Sequence, residues 1–157
     1  MQAIILAAGM GRRMGKYTEN HTKCMMTVGK RTLLERTIEA LKLAGIGRLI
    51  MVIGYEAESL RSYIEEKKFG MEIKYVYNYD YASTNNIYSL FLARDYMRKD
   101  DTILIESDLI FDTGIIKNVV QAPQPNLAVV AKYEQWMDGT MVVLNAKKEI
   151  MDFIDKT

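Results

Sequence analysis

Residues 2–8, QAIILAA, form a short apolar run that stops at Gly9, and the chain repeats this device along its length. An apolar run of this length, closed by a glycine, reads as a strand buried on both faces, as strands of a parallel sheet are. RLIMVI (48–53) is a second such run and ends at Gly54. MEIKYVYN (71–78) alternates and reads as a third strand, TILIE (102–106) as a fourth and NLAVVAKY (126–133) as a fifth, with 139–144 and 148–154 as two more. Helical patterns lie between them. Thr32 with Glu35 spells a capping box, Leu34, Ile38 and Leu41 share one face, and Gly45 supplies the stop, which predicts a helix over 32–45. Further helices are predicted over 56–66, with Leu60 and Ile64 turned inward, over 86–98, and over 112–121, where Pro123 and Pro125 end it. This alternation predicts an α/β domain with a largely parallel sheet, and the absence of repeats or linkers predicts one domain over 1–157.

Composition excludes several classes. A single cysteine permits no internal disulfide and points to a reducing compartment, so the expected location is the cytoplasm. No apolar run is long enough to span a bilayer, and residues 1–8 lack the basic leader of a signal peptide. A net charge of +1 argues against a nucleic-acid-binding coat. That balance hides an asymmetry. Between Gly9 and Arg31 six basic residues face Glu19 alone, a net +5, against −4 over the rest of the chain. Charge alone also admits a solvated basic loop. The apolar Ile150, Phe153 and Ile154 close to Thr157 suggest a fragment of a longer chain, or a surface that a partner or second copy covers.

In open α/β sheets ligands bind beyond the carboxyl ends of the strands. After the first strand comes Gly9-Met10-Gly11-Arg12-Arg13-Met14-Gly15-Lys16, whose glycines let backbone N–H groups approach phosphate and whose arginines offer forked donors. Two familiar phosphate motifs fail here. Met14 holds the third glycine position of a dinucleotide fingerprint, and no acid follows the second strand. A Walker A loop needs four residues between its glycines, whereas Gly11 and Gly15 enclose three, and Tyr17 stands where Ser or Thr is required. After the fourth strand comes Glu106-Ser107-Asp108. Asp108 is placed either to hold magnesium or to cap the next helix. After the third strand lie Asn78, Asp80, Thr84, Asn85 and Asn86, suited to a nucleobase edge or to plain turn chemistry. His21 and Cys24 have no partners at metal-ligand spacing; Cys24 is expected to pack and His21 to face solvent.

LAAGMGRRMG, followed by TKCMMTVGKRTLLERTIEALKLAGI, resembles the N-terminal signature of nucleotidyltransferases with a sugar-nucleotidyltransferase-type fold. Leu6, Ala7, Ala8, Gly9, Gly11, Arg13 and Met14 fall on the pattern, and Lys23 falls on the signature lysine. NYDYASTNNIYSLFLA (78–93) and IESDLIF (105–111) are similar to the branch containing the CTP-dependent phosphocholine and aminoethylphosphonate cytidylyltransferases. Arg12 departs from the usual Ser or Thr, and Thr22 and Thr27 stand where prolines flank the lysine in the family. The family also continues past the equivalent of Thr157, where a second metal-binding carboxylate lies, so the resemblance marks this chain as its truncated, nucleotide-binding portion.

The resemblance implies a Rossmann-like three-layer α/β/α sandwich with a mixed, mostly parallel sheet. It implies magnesium-dependent transfer of a nucleotidyl group, CMP from CTP in this branch, to a small phosphorylated or phosphonate acceptor such as phosphocholine or 2-aminoethylphosphonate, with release of pyrophosphate. Leu6, Ala7, Ala8, Gly9, Met10 and Gly11 would line the nucleotide, Arg13 the β- and γ-phosphates, and Lys23 the α-phosphate. Asp108 would hold Mg²⁺, and Thr84, Asn85 and Asn86 would lie near the base. Tyr81, Tyr133 and Trp136 would serve the acceptor's cation as an aromatic surface, with ordinary packing as the other reading of Trp136. Nucleic acid and membrane are not expected partners. The rivals are a sugar-1-phosphate nucleotidyltransferase, against which the NNIYSL segment argues, and a nucleotide-binding module without turnover.

Overall fold

The computed structural model describes residues 1–18, 20–137 and 139–155, without the side chains of Arg13, Lys16 and Tyr17. The elements are β1 (Gln2–Ala7), β2 (Thr27–Val28), β3 (Arg31–Thr32), α1 (Leu33–Leu43), β4 (Arg48–Ile53), α2 (Ala57–Lys67), β5 (Glu72–Tyr77), α3 (Asn86–Leu92), α4 (Arg94–Met97), β6 (Thr102–Glu106), α5 (Gly114–Gln121), β7 (Thr140–Leu144) and β8 (Ile150–Asp155). The chain folds as two compact units, Met1–Gln121 and Ala122–Thr157.

The first unit is built on a four-stranded sheet of order β5-β4-β1-β6, parallel at every pairing. Because β1 is paired on both sides, all six of its residues are buried, which is why it reads as one continuous apolar run. Its side chains still alternate between faces. Ala3, Ile5 and Ala7 join Leu49, Met51 and Ile53 against Leu34, Ile38 and Leu41 of α1, Leu60 and Ile64 of α2 and Ile116 of α5. Ile4 and Leu6 join Ile50 and Val52 against Leu90 of α3, Ala93 and Tyr96 of α4. Helices thus cover both faces, giving three layers. Gln2, the one polar residue of β1, is buried with its amide donating to Tyr96 O at 2.7 Å and Thr102 Oγ1 at 3.1 Å.

The helix termini follow local chemistry. Both halves of the capping box are present, Glu35 N to Thr32 Oγ1 at 3.1 Å and Thr32 N to Glu35 Oε2 at 2.8 Å. Beyond α1, Gly45 takes φ +80, which favours glycine. The helix predicted over 86–98 is two pieces, because the chain leaves helical geometry at Ala93 (φ −89, ψ 3), a fully buried residue between α3 and α4.

The second unit departs from expectation. NLAVVAKY (126–133) is not a strand, and all of its residues are exposed. An apolar run becomes a strand only where its backbone N–H and C=O groups find ladder partners, and none of the described strands pairs with 126–133. The two later segments do pair, as an antiparallel hairpin β7–β8 with a register shift at Val143/Leu144. Among the described residues, antiparallel pairing is otherwise confined to β2–β3. A groove of about 440 Å³ runs among residues 129–144 of this unit.

Candidate active site

The parallel sheet brings the carboxyl ends of β1, β4, β5 and β6 to one side of the first unit, and each continues into a loop with chemistry. After β1, the Ala8 carbonyl accepts from Tyr55 N at 3.0 Å, which ties this loop to the one after β4. Nothing lies within 4 Å of where a Cβ on Gly9 would sit, so a ligand can approach the backbone there. Gly11 is constrained instead. It has φ +63, and an added Cβ would meet Thr18 Cγ2 at 2.9 Å and Lys23 Cγ at 3.0 Å. A 3₁₀ segment, Arg12–Thr18, follows and is interrupted at Gly15 (φ 52, ψ −127). The Arg13 side chain lies outside the described structure.

Lys23 opens a second 3₁₀ turn, Lys23–Met25. Its neighbour Cys24 turns into the core, with Sγ 3.1 Å from Thr22 Oγ1, and burial pushes the thiol up to about 11. Cys24 packs as expected and anchors the turn. Lys23 is thereby turned toward the sheet end, where its Nζ donates to Asp108 Oδ2 at 2.7 Å. Asp108 lies two residues past the end of β6. The contact joins residues 85 apart in sequence. An ion pair this open to water contributes only about 0–1 kcal/mol to folding. Its significance is placement: an ammonium and a carboxylate, each able to serve a polyphosphate or its counter-ion, share one spot beside the glycine loop.

Glu106, the last residue of β6, was not singled out from the sequence. Its carboxylate accepts from Asn86 Nδ2 at 3.1 and 3.3 Å. Desolvation first, then repulsion from Asp108, raise its pKa, while Asn86 and Lys23 oppose the rise. Glu106 therefore belongs to the same electrostatic cluster as Lys23 and Asp108. Its sequence signal was its place beside Asp108 at a strand end.

The loop after β5 is held from within. Asn78 is 2% exposed; its Nδ2 donates to Thr84 Oγ1 and Ser89 Oγ, both at 3.0 Å, and its Oδ1 accepts from Asp80 N at 3.0 Å. Asn78 serves the turn rather than a ligand edge. Gly54 permits this loop to come close, since a Cβ there would fall 2.8 Å from both Asn78 O and Tyr81 Cβ. Thr84 donates to Asp80 O at 2.8 Å, Asn85 caps α3 by accepting from Tyr88 N at 3.3 Å, and Asn86 reaches Glu106. Of these, only Asn86 is seen to join the Lys23–Asp108 cluster. Tyr81 packs edge-on to Tyr55 at 6.1 Å in the first unit. Tyr133 lines the groove of the second unit, and Trp136 is 80% exposed there.

A glycine loop after the first strand of a parallel sheet, with a loop lysine meeting an aspartate at the end of the edge strand, is the arrangement of a nucleotidyltransferase-type α/β domain. Residues 3–152 match the MobA-like NTP transferase domain, and the chain belongs to that family. It is 30% identical over 155 residues to the CMP-5'-(3-aminopropyl)phosphonate synthase of Streptomyces rubellomurinus, covering 99% of this chain and 24% of that protein. It is 37% identical over 118 residues to the choline-phosphate cytidylyltransferase of Streptococcus pneumoniae, covering 75% of this chain and 49% of that protein. The solved structure of CTP:phosphocholine cytidylyltransferase from S. pneumoniae matches with a TM-score of 0.76 at 27% identity, covering 98% of this chain and 63% of that one. The chain thus spans about a quarter to a half of the length of these two curated relatives. No helix among the described residues is long and apolar enough to cross a membrane.

Proposed function

We propose that this chain carries the nucleotide site of a magnesium-dependent cytidylyltransferase, which moves CMP from CTP to a small phospho- or phosphono-amine. The observation that carries the reading is the Lys23–Asp108 contact at 2.7 Å beside the glycine loop. In the proposed reaction an acceptor phosphate or phosphonate oxygen attacks the α-phosphorus in line. The new P–O bond forms as the bond to the bridging oxygen breaks, and pyrophosphate leaves with that electron pair. No protein nucleophile is required, so the chain's contribution is positioning and charge neutralisation.

The backbone from Ala8 to Gly11 is proposed to receive the ribose and phosphates, Arg13 the β- and γ-phosphates and Lys23 the α-phosphate. Asn85 and Asn86 are proposed to lie near the base. The hard carboxylate oxygens of Asp108 and Glu106 suit Mg²⁺, which takes one or two carboxylates alongside phosphate oxygens. When bound, the ion supplies charge neutralisation on the triphosphate. Lys23 must exchange Asp108 for phosphate, so nucleotide binding releases Asp108 for other work. Trp136 and Tyr133 are proposed to meet the acceptor's cation, each contact worth roughly 0.5–2 kcal/mol; a Trp136→Ala protein with unchanged acceptor affinity removes that part.

The test is pyrophosphate release over a panel of triphosphates and acceptors, run beside calorimetric titration with Mg-CTP. Turnover with CTP and a phospho- or phosphono-amine supports the reading. Turnover with UTP, dTTP or GTP and a sugar phosphate replaces it with NDP-sugar synthesis. The curated relatives are about one and a half to four times as long as this chain, and this favours one second reading, nucleotide binding without turnover by this chain alone. Binding with no pyrophosphate from any acceptor selects that one.

A further inference from the structure

Thr18 is a polar side chain only 4% exposed inside the basic loop, and none of the proposed ligand contacts uses it. Its Oγ1 lies 3.2 Å from Gly11 O and 3.3 Å from Gly15 O. One hydroxyl proton serves both carbonyls in turn, and Gly11 O, which also accepts from Met14 N at 2.8 Å, and Gly15 O are both turned toward Thr18. In a trans peptide the C=O and the following N–H point in opposite directions. Holding these two carbonyls inward therefore directs the next two N–H groups away from Thr18. Outward-facing backbone N–H groups in a loop of mixed handedness are the donors that bind phosphate oxygens.

The methyl group has a separate task. Thr18 Cγ2 and Lys23 Cγ crowd the same empty Cβ position of Gly11, at 2.9 and 3.0 Å. Gly11, Thr18 and the stem of Lys23 are thus packed together, and the far end of that stem sits on Asp108. The loop and the lysine are set as one piece, with Thr18 at its centre.

We infer that Thr18 is a positioning residue for the nucleotide: its hydroxyl aims the loop amides and its methyl steadies Lys23, without touching the ligand. The inference rests on the nucleotide-binding reading above. It predicts that affinity for the triphosphate depends on Thr18 while acceptor affinity does not.

The experiment titrates Mg-CTP calorimetrically into the whole chain as wild type, Thr18→Val, Thr18→Ser, Lys23→Met and Thr18→Val/Lys23→Met, with thermal unfolding of each. Valine keeps the shape and loses the hydroxyl; serine keeps the hydroxyl and loses the methyl. Thr18→Val is expected to weaken CTP binding about tenfold, as loss of a buried hydrogen bond does. Thr18→Ser is expected to stay within about threefold of wild type. In the Lys23→Met background the effect of Thr18→Val should persist, because the hydroxyl acts on the loop amides and valine keeps the methyl that packs on the lysine stem. Where turnover is measurable, the KM for nucleotide rises and the KM for acceptor holds. A Thr18→Val protein that melts earlier but binds CTP like wild type reduces Thr18 to a structural residue and overturns the inference. If Thr18→Val does not fold, Thr18→Ala is titrated in its place, and wild-type CTP affinity in that protein overturns the inference equally. Failure of the wild type itself to bind any nucleotide sinks the functional reading, and this inference with it, and is recognisable as such.

Discussion

The two units use similar sequence material and reach opposite ends of the burial scale. In β1 every residue is buried, because strands flank it on both sides and helices cover both faces. In β8 every residue is exposed, although Ile150, Phe153 and Ile154 are as apolar as anything in β1. β7 and β8 pair with each other and with no other described strand. Apolar character makes burial favourable, but neighbouring elements decide whether it occurs. The lesson extends to function: the charged cluster stands at the carboxyl ends of β1, which is paired on both sides, and of its neighbour β6.

That contrast can be broken by experiment. The largest expected effect is on chemistry. Lys23→Met should lower turnover about a hundred- to thousand-fold, as loss of ~2.7–4 kcal/mol of transition-state charge contact does, with little change in the unfolding midpoint. Trp136→Ala in the second unit should change acceptor affinity by less. Equal losses in the two variants would show that function is not concentrated in the first unit.

Stability should divide the same way. Ile5→Ala, in the fully packed core, should cost about 2–5 kcal/mol in urea unfolding. Phe153→Ala, on the exposed hairpin, should stay within about 0.5 kcal/mol. A Phe153 loss as large as that of Ile5 would mean that something covers the hairpin in solution. Removing the α1 cap with Thr32→Ala should cost about 1 kcal/mol.

The smallest expected effects concern titration. The Glu35 carboxyl is held below the usual carboxylate range, chiefly by its hydrogen bond to Lys67. A lowered folded pKa gives stability that is full above the unfolded pKa and is lost as pH falls through the folded one. Glu35→Gln should therefore narrow the gap to wild type as the solution is acidified from neutrality through that window, read by denaturation at several pH values. Cys24, with its thiol raised to about 11 by burial, should resist alkylation at pH 8 until the first unit unfolds. Rapid labelling of native protein would place Cys24 outside the core.

Much of the framework was legible beforehand. RLIMVI and TILIE are strands at the residues predicted, and the Thr32–Glu35 box caps α1 as its spacing required. These features are local: period, capping spacing and glycine stops act over a few residues. The misreadings needed distant information. The 126–133 run pairs with no described strand, and the 86–98 helix breaks where Ala93 is buried between α3 and α4. Glu106 and Thr18 took no role from sequence because their significance lies in Asn86 and in Gly11 and Gly15, which no periodicity connects to them.

From residues alone came the alternation of strands and helices, the glycine-bearing basic loop and the candidates Lys23 and Asp108, since each is written in short-range pattern and composition. Only the folded chain could decide that those two side chains meet. Their contact spans 85 residues and depends on β1 and β6 lying side by side, a choice made by packing over the whole sheet. Which apolar segments became core was settled the same way, by whether a neighbour was there to receive them.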